Sequence, residues 1–256
     1  MPAITSPQNS TIKLIRSLSE KKYRQESGLF VAEGRDMLDR ARREGWVPEH
    51  LLSTESISPW GGTQPTYVTE KIMEGLSGQD NPQTALATFK QRYGAETSQT
   101  GVWVALEDMR DPGNLGTIIR TADAVAASGV ILVGQSCDPY ARDCVRATTG
   151  SIFGVPLVRM ETDSFVTLCK TWKGDVVGTH LNATEDYRRT YKSTALLVMG
   201  SEGRGLSGEL SKVCETLVRI PMQGGAESLN VATATALMLY EIHRTQLKYL
   251  MGNRCP

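Results

Sequence analysis

Residues 102–133 read VWVALEDMRDPGNLGTIIRTADAVAASGVILV. Two apolar runs, 102–106 and 130–133, flank a helical pattern at 115–127, and a polar turn built on Pro112, Gly113 and Asn114 follows the first run. Short apolar runs without polar alternation suit strands buried on both faces, and the intervening helix is the crossover that parallel strands require. The same alternation continues outward. Strands are expected at 155–158, 176–179, 195–199 and 217–221, helices at 163–172 and 206–214, and a long last helix from about 231 to 250. The fold class is α/β with a parallel sheet.

Upstream the texture changes. Residues 94–101 are small, polar and aperiodic, which marks a linker. Before it, residues 11–24 read as one basic helix carrying Lys13, Arg16, Lys21, Lys22 and Arg24 against the single acid Glu20. A strand at 29–32, a helix at 35–43 and strands at 50–53, 66–69 and 85–89 complete a small α/β domain. The expected organisation is therefore a domain at 1–93, a linker at 94–101 and a larger domain at 102–256.

Composition narrows the function classes. Of 256 residues, 40% are hydrophobic and 22% charged, and Lys plus Arg equals Asp plus Glu at 28 each. That speaks against disorder and against a protein that coats nucleic acid, while leaving room for one local basic face. Five scattered cysteines and three unpaired histidines give no metal-ligand spacing, so no metal is expected. No apolar run approaches a membrane span, and the start lacks a signal core, so a cytoplasmic protein is expected.

In parallel sheets ligands bind beyond the carboxyl ends of the strands. Three loops there differ from linkers. The first holds Asn114, a candidate helix cap, and Arg120, a charge on an otherwise apolar helix start. In the second, Gly200, Gly203 and Gly205 allow close backbone approach to a ligand, and Glu202 is more than a plain turn needs. It is neither a phosphate loop nor the dinucleotide fingerprint. The third runs from Ile220 through Pro221 and Met222 to Ser228, Leu229 and Asn230, where Ser228 or Asn230 can cap the small-residue helix that follows.

Together these loops resemble the three signature motifs of the SpoU (TrmH) family of RNA 2′-O-ribose methyltransferases, in the SPOUT superfamily. N-x-G-x-x-x-R falls on Asn114, Gly116 and Arg120, and G-x-E-G-x-G on Gly200, Glu202, Gly203 and Gly205. I-P-M…S-L-N falls on Ile220, Pro221, Met222, Ser228, Leu229 and Asn230. A looser likeness, through 30–34 and 81–87, makes the first domain similar to the L30e-like substrate-binding domain that often precedes this fold.

The resemblance implies a C-terminal trefoil knot and S-adenosylmethionine as cofactor, leaving S-adenosylhomocysteine as product. It implies a homodimer through the knot helices, which Ala232, Thr233 and Ala236 suit. Thr179, Gly200, Gly203, Ile220, Met222, Ser228 and Leu229 are the implied cofactor contacts. Arg120 is the implied catalytic group, oriented with the ribose by Asn114, Glu202, Ser228 and Asn230. A guanidinium keeps its proton in water, so stabilisation of a developing alkoxide is the favoured role over proton abstraction.

The basic residues of 11–24 are the expected RNA contacts. Ribosomal RNA is the favoured substrate, with transfer RNA, or a non-catalytic RNA-binding role on the same fold, as alternatives. A nicotinamide oxidoreductase is disfavoured by the missing G-x-G-x-x-G. A knotted base methyltransferase is disfavoured by the motif set.

Overall fold

The computed structural model describes residues 3–77, 82–95 and 97–244. They form two compact units. One comprises the described residues up to Arg92 together with Asp111–Arg120 and Asp138–Gly154; the other comprises those in 93–110, 121–137 and 155–244.

The first unit opens with helices α1 (Ser10–Ser17) and α2 (Lys21–Ser27), strand β1 (Leu29–Glu33) and helix α3 (Arg35–Arg43). Strands β2 (His50–Ser53) and β3 (Thr66–Tyr67), helix α4 (Glu70–Ser77) and strand β4 (Ala85–Lys90) follow. The strands pair in the order β1-β4-β2-β3. Because side chains alternate along a strand, β1 feeds two cores. Leu29 and Val31 join Ile12, Ile15, Leu18 and Leu86 on one face. Phe30 meets the rings of Trp46, Phe89, Tyr140 and Phe153, with centroids 4.6–6.0 Å away.

One expectation is corrected here. The segment 11–24 is two helices, α1 and α2, rather than one. Arg24 explains the break: its Nη1 donates to the carbonyls of Leu18 (2.9 Å) and Ser19 (2.8 Å), holding the intervening turn. Its Nε and Nη2 both reach Asp138 Oδ2 at 2.8 Å, and the residue is only 3% exposed. A buried ion pair in which two guanidinium N–H groups converge on one carboxylate oxygen is a structural device, so Arg24 is withdrawn from the RNA contacts. Lys13, Arg16, Lys21 and Lys22 stay exposed.

The second unit is built on a seven-stranded, wholly parallel sheet. Its strands are β5 (Val102–Glu107), β6 (Gly129–Val133), β7 (Leu157–Met160), β8 (Asp175–Thr179), β9 (Glu185–Asp186), β10 (Ala195–Met199) and β11 (Thr216–Arg219). The order is β7-β6-β5-β10-β8-β11-β9. Ala195 pairs with Val102 on one side and Asp175 on the other, and β10 is the middle strand of the seven. Every residue of β5, β6 and β10 is buried, as a sheet covered on both faces requires.

The helices after the linker are α5 (Pro112–Ala124), α6 (Arg142–Thr148), α7 (Thr162–Thr171), α8 (Gly208–Val213) and α9 (Val231–Ile242). Helix α5 has Pro112 at its first position, where the missing N–H costs nothing. Its cap is Asp111, whose Oδ1 accepts from the Asn114 N–H at 2.6 Å, so Asn114 is not the cap. Expected residues 245–250 of the last helix, Asn81 of the 81–87 match and Cys255 lie outside the described residues. Among the described residues no helix is long and apolar enough to cross a membrane.

Candidate active site

The carboxyl ends of β8, β10 and β11 lie side by side, and a cavity of about 610 Å³ opens there. That volume is within the roughly 300–1,000 Å³ of small-molecule sites. Each wall has a local cause. Thr179 ends β8, and its hydroxyl donates to Met199 Sδ at 3.6 Å, joining two adjacent strand ends. Beyond Met199 the chain folds back on itself, with Ser201 and Gly205 exchanging backbone hydrogen bonds of 3.2 and 3.0 Å.

Only glycine fits at position 200. A Cβ there would lie 2.0 Å from the Gly205 carbonyl carbon and 2.1 Å from the Leu206 nitrogen. The Ser207 N–H ends this turn by donating to the buried Glu107 carboxylate at 2.8 Å. Glu202 faces the chain after β5, its carboxylate 3.4 Å from the Arg110 N–H. The last wall is the start of α9. Asn230 caps that helix, its Oδ1 accepting from the Ala232 and Thr233 N–H groups at 2.9 and 3.3 Å.

All seven expected cofactor contacts line this cavity: Thr179, Gly200, Gly203, Ile220, Met222, Ser228 and Leu229. Glu202 and Asn230, expected on the catalytic side, line it too. Asn114 and Arg120 do not. Both are on α5, where Ile118 and Ile119 are fully buried while Arg120 is exposed. The Arg120 side chain has no ion pair among the described residues.

Sequence reasoning missed His180, Leu181 and Asn182, which continue from β8 into the rim, and also Arg204 and Arg219. The rule that ligands lie beyond strand ends would have found the first three.

The lining suits a cofactor with a flat apolar ring and a polar tail. Met199, Leu206, Val218, Ile220 and Leu229 supply apolar surface, and the turn at Gly200 brings backbone to the edge. Cys169 and Cys214 do not compete as nucleophiles. Burial pushes the thiols of Cys169 and Cys214 up to about 12, so both are neutral packing groups. Among the described residues no cluster of three His, Cys, Asp or Glu side chains could hold a metal ion.

Comparison with known proteins identifies a family for the chain. Residues 101–240 match the model of the SpoU rRNA Methylase family, and residues 9–87 match an MRM3-like substrate binding domain. The Bacillus subtilis 23S rRNA (guanosine(2553)-2′-O)-methyltransferase RlmP is 32% identical over 248 residues, covering 94% of this chain and 99% of that one.

Among solved structures, an AdoMet-bound rRNA methyltransferase from Sinorhizobium meliloti superposes with a TM-score of 0.89 at 39% identity. It covers 96% of this chain and 99% of its own. The SpoU methyltransferase AviRb from Streptomyces viridochromogenes, in complex with AdoMet, gives 0.80 at 27% identity, covering 93% and 98%.

Proposed function

This chain belongs to the SpoU rRNA methylase family, and from that premise we propose that it methylates a ribose 2′-hydroxyl of ribosomal RNA, using S-adenosylmethionine. The observation that carries this reading is the cavity at the ends of β8, β10 and β11, which is lined by six motif residues expected to touch the cofactor and by Thr179.

The bound cofactor supplies an electrophilic methyl group on a sulfonium. The protein supplies position and electrostatics. Gly200 and its turn hold the cofactor edge by backbone, while Ile220, Met222 and Leu229 cover its apolar part. Arg120 presents a cation to the ribose oxygen, which releases its proton to solvent as it takes the methyl group and the carbon–sulfur bond breaks, and Asn114, Glu202, Ser228 and Asn230 orient the arginine and the ribose.

The proposed division of labour gives RNA capture to residues 1–93, through Lys13, Arg16, Lys21 and Lys22, and transfer to residues 102–256. The trefoil threading implied by the family resemblance belongs to the same proposal.

Calorimetry is expected to show saturable binding of S-adenosylmethionine and S-adenosylhomocysteine and none of NADH. Mapping of 2′-O-methyl groups in ribosomal and transfer RNA, with and without the gene, is expected to reveal one missing ribosomal mark. Absence of heat with both methionine cofactors overturns the reading, and a mark lost from transfer RNA instead overturns the substrate assignment.

We also propose a homodimer through α9, with a corrected face. Ala232 is 4% exposed and packs inside its own chain, so it is withdrawn. Thr233, Leu237 and Tyr240 share one helical stripe, and Leu237 and Tyr240 are 39% and 50% exposed. Light scattering is expected to give twice the 28.0 kDa chain mass. The Leu237→Lys, Tyr240→Lys double variant is expected to give the single-chain mass. A wild-type chain that scatters as a monomer at micromolar concentration removes the dimer from the proposal.

A further inference from the structure

A second cavity, of about 320 Å³, lies wholly within the first unit, beside α3 and the segment that follows β2. Its floor is apolar, from the buried side chains of Leu38, Leu51 and Trp60. The Arg42 guanidinium sits 5.1 Å from the centre of the Trp60 ring. Asp39, Ser56 and Ser58 share the rim and make no side-chain hydrogen bond among the described residues. Arg35, also on the rim, is taken by Glu55, whereas Arg42 has no acidic partner among the described residues.

These parts match one kind of ligand. An apolar floor beside a guanidinium that is already held over the Trp60 ring receives a planar ring on the open face of Arg42, since stacking and cation–π contact both reward flat π-systems. A carboxylate and two hydroxyls on the rim have acceptor and donor capacity for the polar edge of that ring. A site for phosphate alone would not place Asp39 beside Arg42, because the carboxylate repels the anion. The size suits a single nucleotide rather than a helix.

We propose that this cavity captures one unpaired nucleotide of the RNA substrate, with guanine favoured. Guanine carries its ring N–H and exocyclic amino group side by side, and both can donate to the Asp39 carboxylate. Arg42 then pairs with the flanking phosphate while covering the ring. The site lies within the substrate-binding unit and is lined by none of the cofactor contacts, so it selects RNA independently of cofactor binding. This inference rests on the RNA methyltransferase reading above.

The test is an NMR titration of the full chain, following the backbone amides of residues 56–58 and 200–205. The probes are the four nucleoside 5′-monophosphates and inorganic phosphate. Guanosine monophosphate is expected to give saturable shifts at 56–58, the other three weaker ones, and phosphate alone none. Arg42→Ala is expected to weaken guanosine monophosphate about tenfold. Asp39→Asn is expected to erase the preference for guanine, because an amide replaces one acceptor with a donor.

Absence of shifts at 56–58 up to millimolar concentration overturns the proposal. So do identical shifts with phosphate alone, shifts confined to 200–205, or shifts indifferent to Arg42→Ala. S-adenosylmethionine added to the same sample reports separately at 200–205. Its failure there would overturn the enzymatic reading, whatever happens at 56–58.

Discussion

Replacing Arg120 by alanine is expected to lower methylation about 10²–10³-fold, the usual cost of losing one charge-stabilising donor, while S-adenosylmethionine affinity stays nearly unchanged. The split follows from placement. Arg120 lines none of the cofactor cavity, so its removal leaves that surface intact. Its side chain is exposed and without an ion pair among the described residues, so folding is not expected to suffer either.

Arg120→Lys sharpens the test. An ammonium keeps the charge and loses the planar fork, so partial activity points to charge stabilisation with a geometric component. Single-turnover rates with saturating cofactor, beside calorimetry on the same variants, separate transfer from binding. Near-normal turnover of Arg120→Ala would make this residue a bystander and remove the proposed mechanism.

The second large effect concerns Gly200. In Gly200→Val the added Cβ meets backbone atoms of Gly205 and Leu206 at 2.0–2.2 Å, and backbone cannot step aside as a flexible side chain can. The turn over the cavity must therefore move. A displacement of about 1 Å at a positioning element can cost on the order of 10²-fold in rate. Overpacking of this kind costs about 1–3 kcal/mol of stability.

The expected result is loss of measurable S-adenosylmethionine binding in a protein that remains folded and still retains RNA. Calorimetry, circular dichroism and a filter-binding assay report the three quantities. Unaltered cofactor affinity would mean that the turn does not form the cofactor's edge.

Much of the second unit was legible in the chain itself. Apolar runs such as 130–133 and 195–199 coincide with buried strands because a strand covered on both faces has no polar positions to alternate. Glycine-bearing loops at their carboxyl ends announced the cavity, since ligands collect where parallel strands end. Less was legible in the first unit. Helix α4 was not expected, and neither was α6, which follows a polar turn and belongs to the same unit. Short helices of this size draw their stability from tertiary packing rather than from local propensity, so their periodicity is weak.

Local sequence determined the α/β class, six of the seven strands of the parallel sheet (β9 was not expected) and the loops that form the cavity, because periodicity and turn chemistry act over a few residues. Tertiary structure alone decided which charges are available. Arg24 reads like its neighbours Lys21 and Lys22, yet it is buried because Asp138, 114 positions away, closes an ion pair on it. Likewise Gly116 looks like a motif letter, and its reason is packing: a Cβ there would lie 2.5 Å from the Cys144 carbonyl oxygen. Ala232 looks like part of an interface and faces its own core, while Leu237 and Tyr240 are left on the surface. In each case the deciding partner is distant in sequence, and burial belongs to the packed chain, not to the residue.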